Sequence, residues 1–306
     1  MTRQWKILSD FKKKPIIERK PNMADDLTPR DETAPAAEAA PATATPVEET
    51  PVPAEAAETP NKTYKNQGVV DFIFLVDVTG SMGPCINALR ENINKFIDMM
   101  VDTTGNGSPI TDWRGRVVGY RDYDYDKDTS YGWLVDNPFT RDVTILRQQL
   151  AALTPKGGGP GVEGIPESLL DAMMTVAAAG AIDLQAGESD DNTVKWRPLG
   201  SSARVVIVFT DATYHPTMSI PGYEGAGVKD LYNVYLQERI KPYFFVPRDP
   251  SFIALGRFKG AVISDCGEGQ DGLLTITKDE AAFQKLLEML AKGVTQTATK
   301  MEREIL

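Results

Sequence analysis

Two long apolar runs in this chain each end in an aspartate. Val69-Val70-Asp71-Phe72-Ile73-Phe74-Leu75-Val76 has one polar interruption and stops at Asp77, and Arg204 to Thr210, with Val205-Val206-Ile207-Val208-Phe209 inside it, stops at Asp211. Runs of this kind suit strands buried on both faces. After the first, Ile86, Leu89, Ile93, Phe96, Ile97 and Met100 recur at helical spacing, so a strand leads directly into an amphipathic helix over Ile86–Val101. The same reading predicts strands at Arg116–Tyr123, Trp133–Val135, Tyr243–Val246 and Ala261–Ile263. It predicts helices at Val143–Leu153, Ile165–Ala179, Val228–Ile240, Phe252–Phe258 and Glu280–Lys292. Strands alternating with helices imply an α/β domain, doubly wound, with a mostly parallel sheet covered on both faces. Gly180 to Ser202, polar and acidic through Glu188, Asp190 and Asp191, reads as a surface loop or insertion without recognisable chemistry.

The pattern places the folded domain at 64–294, followed by a tail at 295–306. Ahead of it, 31–63 is dominated by Ala, Pro, Glu and Thr, a composition that predicts an extended, disordered linker. In 1–30, Trp5, Ile7, Leu8 and Phe11 sit among Lys12, Lys13, Lys14 and Arg19; the segment reads either as a docking peptide or as a frayed terminus. At 306 residues and 42% hydrophobic content, one large domain plus a non-folding extension is the simplest division. The formal net charge of -10 disfavours nucleic acid and anionic membrane surfaces, and favours divalent cations or basic protein surfaces. Cys85 and Cys266 are too few for a disulfide framework and lack the paired spacing of a zinc site. With no secretory apolar region and no stretch able to span a bilayer, a soluble cytoplasmic protein is expected.

In an open α/β sheet, ligands gather beyond the carboxyl ends of the strands where strand order reverses. If the strands of Asp77 and Asp211 are neighbours, their backbones lie roughly 5 Å apart, and two carboxylates so close repel unless a cation intervenes. Asp77-Val78-Thr79-Gly80-Ser81 supplies a carboxylate and two hydroxyls at alternate positions of a turn entering a helix. Hard cations such as Mg²⁺ take oxygen ligands of this kind and usually retain water. Gly80 is expected to let the backbone pass close to the ion.

Asp77-Val78-Thr79-Gly80-Ser81-Met82 resembles the Asp-x-Ser/Thr-x-Ser signature of the metal-ion-dependent adhesion site of von Willebrand factor A domains, in their bacterial intracellular form. Val208-Phe209-Thr210-Asp211-Ala212 is similar to the same family's Thr-Asp-Gly/Ala element, and Lys156-Gly157-Gly158-Gly159 through Pro166-Glu167-Ser168 to its Gly-Gly-Gly-Asp-x-Pro-Glu loop. That loop is longer here, and Gly164 stands where the family has Asp, with Glu163 beside it. The resemblance covers about Asp71 to Leu290. It implies a sheet of order 3-2-1-4-5-6 with an antiparallel edge strand, and a divalent ion, Mg²⁺ (or Mn²⁺ or Ca²⁺), held by Asp77, Thr79, Ser81, Glu167 and Asp211. It further implies that a partner protein's Asp or Glu completes the metal shell, in an intracellular bacterial assembly or stress-response complex, without catalysis.

Each feature also has an unremarkable explanation. Asp-x-Thr-x-Ser alone is a common helix-capping turn, and Asp211 alone could cap a loop. Glu167 after Pro166 could serve the helix dipole. The glycine loop could cradle phosphate, although it lacks the Lys-Ser/Thr of a P-loop. His215, the single histidine, could line the rim of the site or make a structural hydrogen bond. Asp122, Asp124, Asp126 and Asp128 lack the Gly and distal Glu of an EF-hand, and read as a solvated acidic loop with Asp122 nearest the metal. Two rival functions stand beside the binding module. One is a phosphohydrolase of the haloacid-dehalogenase type, which needs a carboxylate where position 79 is Thr; the other is a scaffold with a purely structural metal. The partner, the physiological metal, the oligomeric state and the choice between Glu167 and Glu163 are not written in the sequence.

Overall fold

β1 (Val69–Asp77) alternates its apolar side chains between two layers: Phe72, Phe74 and Val76 enter one buried cluster, Ile73 and Leu75 the other. A strand fed from both faces belongs at the centre of a covered sheet, and it is there. The computed structural model describes residues 68–101, 110–159, 166–267 and 271–299, within the unit Pro60–Leu306. The N-terminal segment 1–30, the linker 31–63 and Glu163 lie outside the described residues. β1 pairs in parallel with β2 (Asp112–Tyr120) on one side and β4 (Ala203–Phe209) on the other. β5 (Ile240–Val246) and β6 (Val262–Asp265) extend the sheet beyond β4, and β3 (Leu134–Asp136) closes the opposite edge, antiparallel to β2. The order is β3-β2-β1-β4-β5-β6, a doubly wound, Rossmann-like α/β sheet with one antiparallel edge strand.

α1 (Gly83–Val101), α3 (Val143–Ala152) and α8 (Glu280–Thr299) supply the first layer, where Phe74 meets Phe96 at 5.3 Å between ring centroids and Phe209 stacks on Phe245 at 4.7 Å. α4 (Leu169–Ala177), α5 (Val228–Gln237) and α6 (Phe252–Leu255) supply the second. No helix among the described residues is long and apolar enough to cross a membrane.

Several boundaries move for physical reasons. β2 begins at Asp112, ahead of the apolar residues, because Arg114 and Arg116 are themselves buried and paired. It ends at Tyr120, since Asp122 leaves the sheet to cap α2 (Tyr123–Asp126) through the amides of Asp124 and Tyr125. α4 starts only at Leu169, as Glu167 and Ser168 are used otherwise. α8 runs on to Thr299, continuing its buried stripe through Val294 and Ala298. A further helix, α7 (Asp271–Lys278), escaped the periodicity because only Leu273 of its eight residues is fully buried.

The connection 180–202 is anchored, not merely superficial. Trp196 is fully buried, donates from Nε1 to the Val176 carbonyl at 2.9 Å, and packs on Phe139. Its neighbour Arg197 donates its backbone N–H to Asp71 at 2.9 Å and adds an ion pair at 3.1 Å. Asp71, the polar interruption in β1, also takes two hydrogen bonds from the buried Arg114 guanidinium, at 3.0 and 2.5 Å. The amino end of the sheet is therefore closed by buried charges that are matched one to another.

Removing one partner of such a pair strands the other. Asp71→Ala should lower unfolding stability by about 3–5 kcal/mol in urea titration, whereas Arg141→Ala, on the exposed side of the same network, should cost no more than about 1 kcal/mol. Equal losses would show that burial does not grade this network.

Candidate metal centre

The register sets Val76 of β1 beside Phe209 of β4, so Asp77, Thr210 and Asp211 emerge together where the strand order reverses. Asp77 is fully buried. Its Oδ1 accepts from the Thr79 backbone N–H at 2.9 Å and from the Thr79 hydroxyl at 2.7 Å; its Oδ2 accepts from the Thr210 hydroxyl at 2.8 Å. Thr79 stands in extended conformation ahead of a 3-10 turn (Gly80–Met82), and its side chain does not cap that turn. Three donors hold Asp77 still, and Asp77 in turn holds the Thr79 hydroxyl.

Asp211 is the contrasting case. It is buried, and among the described residues neither carboxylate oxygen makes a hydrogen bond of ordinary geometry, although the Ser81 hydroxyl lies close enough to favour its charged form. Ser81 is half-buried in the 3-10 turn. A buried carboxylate left without donors is unstable as an anion unless something cationic answers it.

Glu167 arrives from a different part of the chain. Its backbone forms a small parallel bridge with Tyr214: its N–H donates to the Thr213 carbonyl at 2.9 Å, and its carbonyl accepts from the His215 N–H at 3.1 Å. This bridge ties Glu167 to the loop that follows Asp211. The residue is 4% exposed, and its Oε2 has no hydrogen-bond partner among the described residues. Glu167 precedes α4 and its first turn carries Asp171, so Glu167 is not the dipole-serving carboxylate of that helix.

Electrostatics record the crowding. Burial first, then the charges of Asp77, Asp122, Asp126 and Asp211, push Glu167 up to about 10. Burial and the charge of Asp211 push Asp77 up to about 7 against its three hydrogen bonds, and burial raises Asp211. Among the described residues no three His, Cys, Asp or Glu side chains form a metal-binding group by themselves. An ion here would depend on the hydroxyls of Thr79 and Ser81 as well as on carboxylates. The side chains expected to hold it offer only oxygens, the chemistry of a hard divalent ion.

The glycine loop is arranged differently from the expectation. Gly80 has open space around it, whereas a Cβ on Gly158 would stand 2.7 Å from both Glu167 Oε1 and Thr79 Cγ2. In this loop close approach requires glycine both at Gly158, at φ +92°, and at Gly157, at φ +81°, where a Cβ would stand 2.6 Å from Asp126 Oδ1. The Gly158 N–H donates to Asp126 Oδ2 at 2.8 Å, which occupies the amide that a phosphate would need. The acidic loop is also less solvated than its composition suggests. Asp122 and Asp126 are buried; Asp122 caps α2 and meets His215 Nε2 at 2.6 Å, and that hydrogen bond raises the histidine. Asp124 is exposed, lying 2.9 Å from Ser219 Oγ and 3.6 Å from Lys127.

Arg121 was not singled out by sequence, and Asp126 was read only as part of a solvated acidic loop. Thr210 stands inside the second motif, so its hydroxyl was visible without its role. Arg121 donates to the carbonyls of Lys156, Gly132 and Thr154 at 2.6, 3.0 and 2.8 Å, a task no local pattern reveals.

No family model and no curated protein matches the chain. Among solved structures it is similar to proximal thread matrix protein 1 from the mussel byssus, at 12% identity and a TM-score of 0.38, over 74% of this chain and 47% of that one. It is also similar to the pilus adhesin SpaC from Lactobacillus rhamnosus GG, at 10% identity and a TM-score of 0.39, over 72% of this chain and 30% of the adhesin. The chain thus spans less than half the length of either.

Asp77 and Glu167 retain protons in the fold that the unfolded chain releases near 3.8 and 4.5. The native state then binds more protons than the unfolded state above those values, so stability falls as pH rises. In EDTA the melting temperature should drop between about pH 5 and about pH 8, and Mg²⁺ or Mn²⁺ should raise it more at the higher pH, by competing with those protons. Equal metal-induced shifts at both pH values would separate the protons from the metal.

Proposed function

We propose that this domain is a metal-dependent protein interaction module that binds a carboxylate of a partner through a divalent cation. The observation that carries the reading is a set of orphaned buried oxygens, Glu167 Oε2 and both oxygens of Asp211, gathered with two hydroxyls at the carboxyl end of the sheet. Thr79, Ser81, Glu167 and Asp211 would hold the ion. Asp77, which accepts from the hydroxyls of Thr79 and Thr210, would orient the Thr79 hydroxyl and keep a lone pair for the ion as its fifth ligand. When bound, the ion supplies a cationic coordination position that an Asp or Glu oxygen from outside can occupy.

The chain's own residues suit binding better than turnover. The phosphohydrolase alternative needs an acid/base carboxylate at position 79, where the Thr79 hydroxyl instead donates to Asp77. His215, the single imidazole, is engaged by Asp122. The fixed framework around Asp77 favours a preorganised docking point, since a partner then meets few groups that must be ordered on arrival. Under this reading the protein's ligand is an acidic side chain on another protein, and Mg²⁺ or Mn²⁺ is the resident ion.

Mn²⁺ titration followed by electron paramagnetic resonance should show one bound ion in the wild type, and Asp211→Asn should weaken it by about tenfold or more, roughly 1.4 kcal/mol. A displayed peptide library panned on the Mn²⁺-loaded protein should return sequences sharing an Asp or Glu that release in EDTA. Binders without an acidic residue, or indifferent to EDTA, would remove the interaction reading while leaving the metal in place.

A further inference from the structure

β6 is the last strand of the sheet, and among the described residues no further strand lies beyond it. The Cys266 N–H donates to the Val246 carbonyl of β5 at 3.0 Å. Backbone groups alternate along a strand, so Ser264 and Val262 also face β5, while Ile263 and Asp265 turn their N–H and C=O outward. The side chains on this edge do not discourage pairing. Val262 is 41% exposed and Ile263 38%, one on each face of the sheet. The end of α6 lies against Ile263, whose Cδ1 would be 2.7 Å from a Cβ on Gly256, and Ile253 on that helix is 61% exposed. The opposite edge is protected in the usual way, by charge: Asp136 of β3 is tied to the buried Arg116, and the chain then returns beside β2 through a bridge between Gly115 and Thr140. At β6, apolar residues on both faces of an open edge form a template for another strand.

The two ends of β6 also differ in charge. Arg257 and Lys259, both exposed, stand ahead of it. Asp265 closes it, paired with Arg248 at 2.6 Å, and the exposed Asp271 adds a second carboxylate at the start of α7. That start is folded against the end of β6, since a Cβ on Gly272 would meet the Cys266 carbonyl at 2.4 Å.

We propose that β6 is a self-association edge, where two copies of this chain pair β6 to β6, antiparallel about a two-fold axis, and join their sheets into one. The outward groups of Ile263 and Asp265 bond their counterparts, and each copy covers Val262 and Ile263 of the other. A second copy suits this edge because a two-fold axis reverses the strand: Arg257 and Lys259 of each copy then approach Asp265 and Asp271 of the other, at both ends of the ribbon. The contact is small, four residues of strand supported by α6 and the start of α7. It therefore belongs below the roughly 1,200–2,000 Å² of stable interfaces, among weak and reversible associations. It is also separate from the metal centre, because β6 lies three strands from β1, about 14 Å across the sheet.

Sedimentation equilibrium of the full chain in EDTA, from about 1 µM to about 1 mM, should show monomer and dimer in exchange. Ile263→Lys, which places a charge on the edge, should weaken the dimer by about tenfold or more. Reversing the exposed cations, Arg257→Glu with Lys259→Glu, should weaken it by about tenfold, and adding Asp271→Lys should recover at least about threefold. Should Ile263→Lys fail to fold by circular dichroism, the reversal and its recovery carry the comparison. A chain that stays monomeric throughout overturns the proposal and leaves the edge to a strand of another protein. A dimer that the folded variants do not weaken forms on another face, and a reversal that Asp271→Lys does not relieve removes the antiparallel arrangement; either result overturns it. A dimer that forms only when Mg²⁺ is added belongs to the metal centre, and overturns the edge while leaving the metal reading in place.

Discussion

The organising constraint in this protein is the burial of three carboxylates, Asp77, Glu167 and Asp211, beyond the carboxyl end of a sheet. Burial raises all three, and the charge of Asp211 adds to the rise of Asp77 and Glu167. The fold answers only one of them from its own groups. Asp77 receives three hydrogen bonds, whereas Asp211 receives none of ordinary geometry and Glu167 leaves one oxygen unmatched. The surrounding structure can be understood as what keeps this unfavourable arrangement in place.

That support is distributed over the whole sheet. Parallel pairing of β1 with both β2 and β4 brings Asp77 and Asp211 together, and the two apolar layers lock the strands in register. At the opposite end the charges are satisfied internally, Asp71 by Arg114 and Arg197, Arg204 by Glu238. The same sheet thus has one end where buried charges are matched and one where they are not.

The loops around the unmatched end differ in how they are held. The turn after β1 is fixed by its own residues, through Thr79 and Asp77. The loop at Gly157–Gly159 has no such internal logic and depends on Arg121 and Asp126, while Glu167 depends on a backbone bridge to Tyr214. Local chemistry builds one wall of the site, and long-range contacts build the other two.

This division also separates what could be read from the chain from what could not. The buried strands, their order of alternation with helices, and the aspartates ending β1 and β4 were legible because apolar periodicity and strand termination are local properties. The Rossmann-like sheet with its antiparallel edge strand followed from them together with the resemblance of the first motif. Thr79 was legible for the same reason, being two residues from the carboxylate it serves. What only the tertiary structure decided is whatever depends on partners distant in sequence. Arg114 and Arg116 read as polar yet lie inside the sheet, because Asp71 and Asp136 meet them there. Trp196 lies in a polar connection yet is buried against Phe139. The crowding at Gly158 comes from Thr79 and Glu167, both distant in sequence. A sequence specifies which side chains are available at a strand end; the energy of placing a charge or a bare backbone there depends on neighbours that only the folded chain assembles.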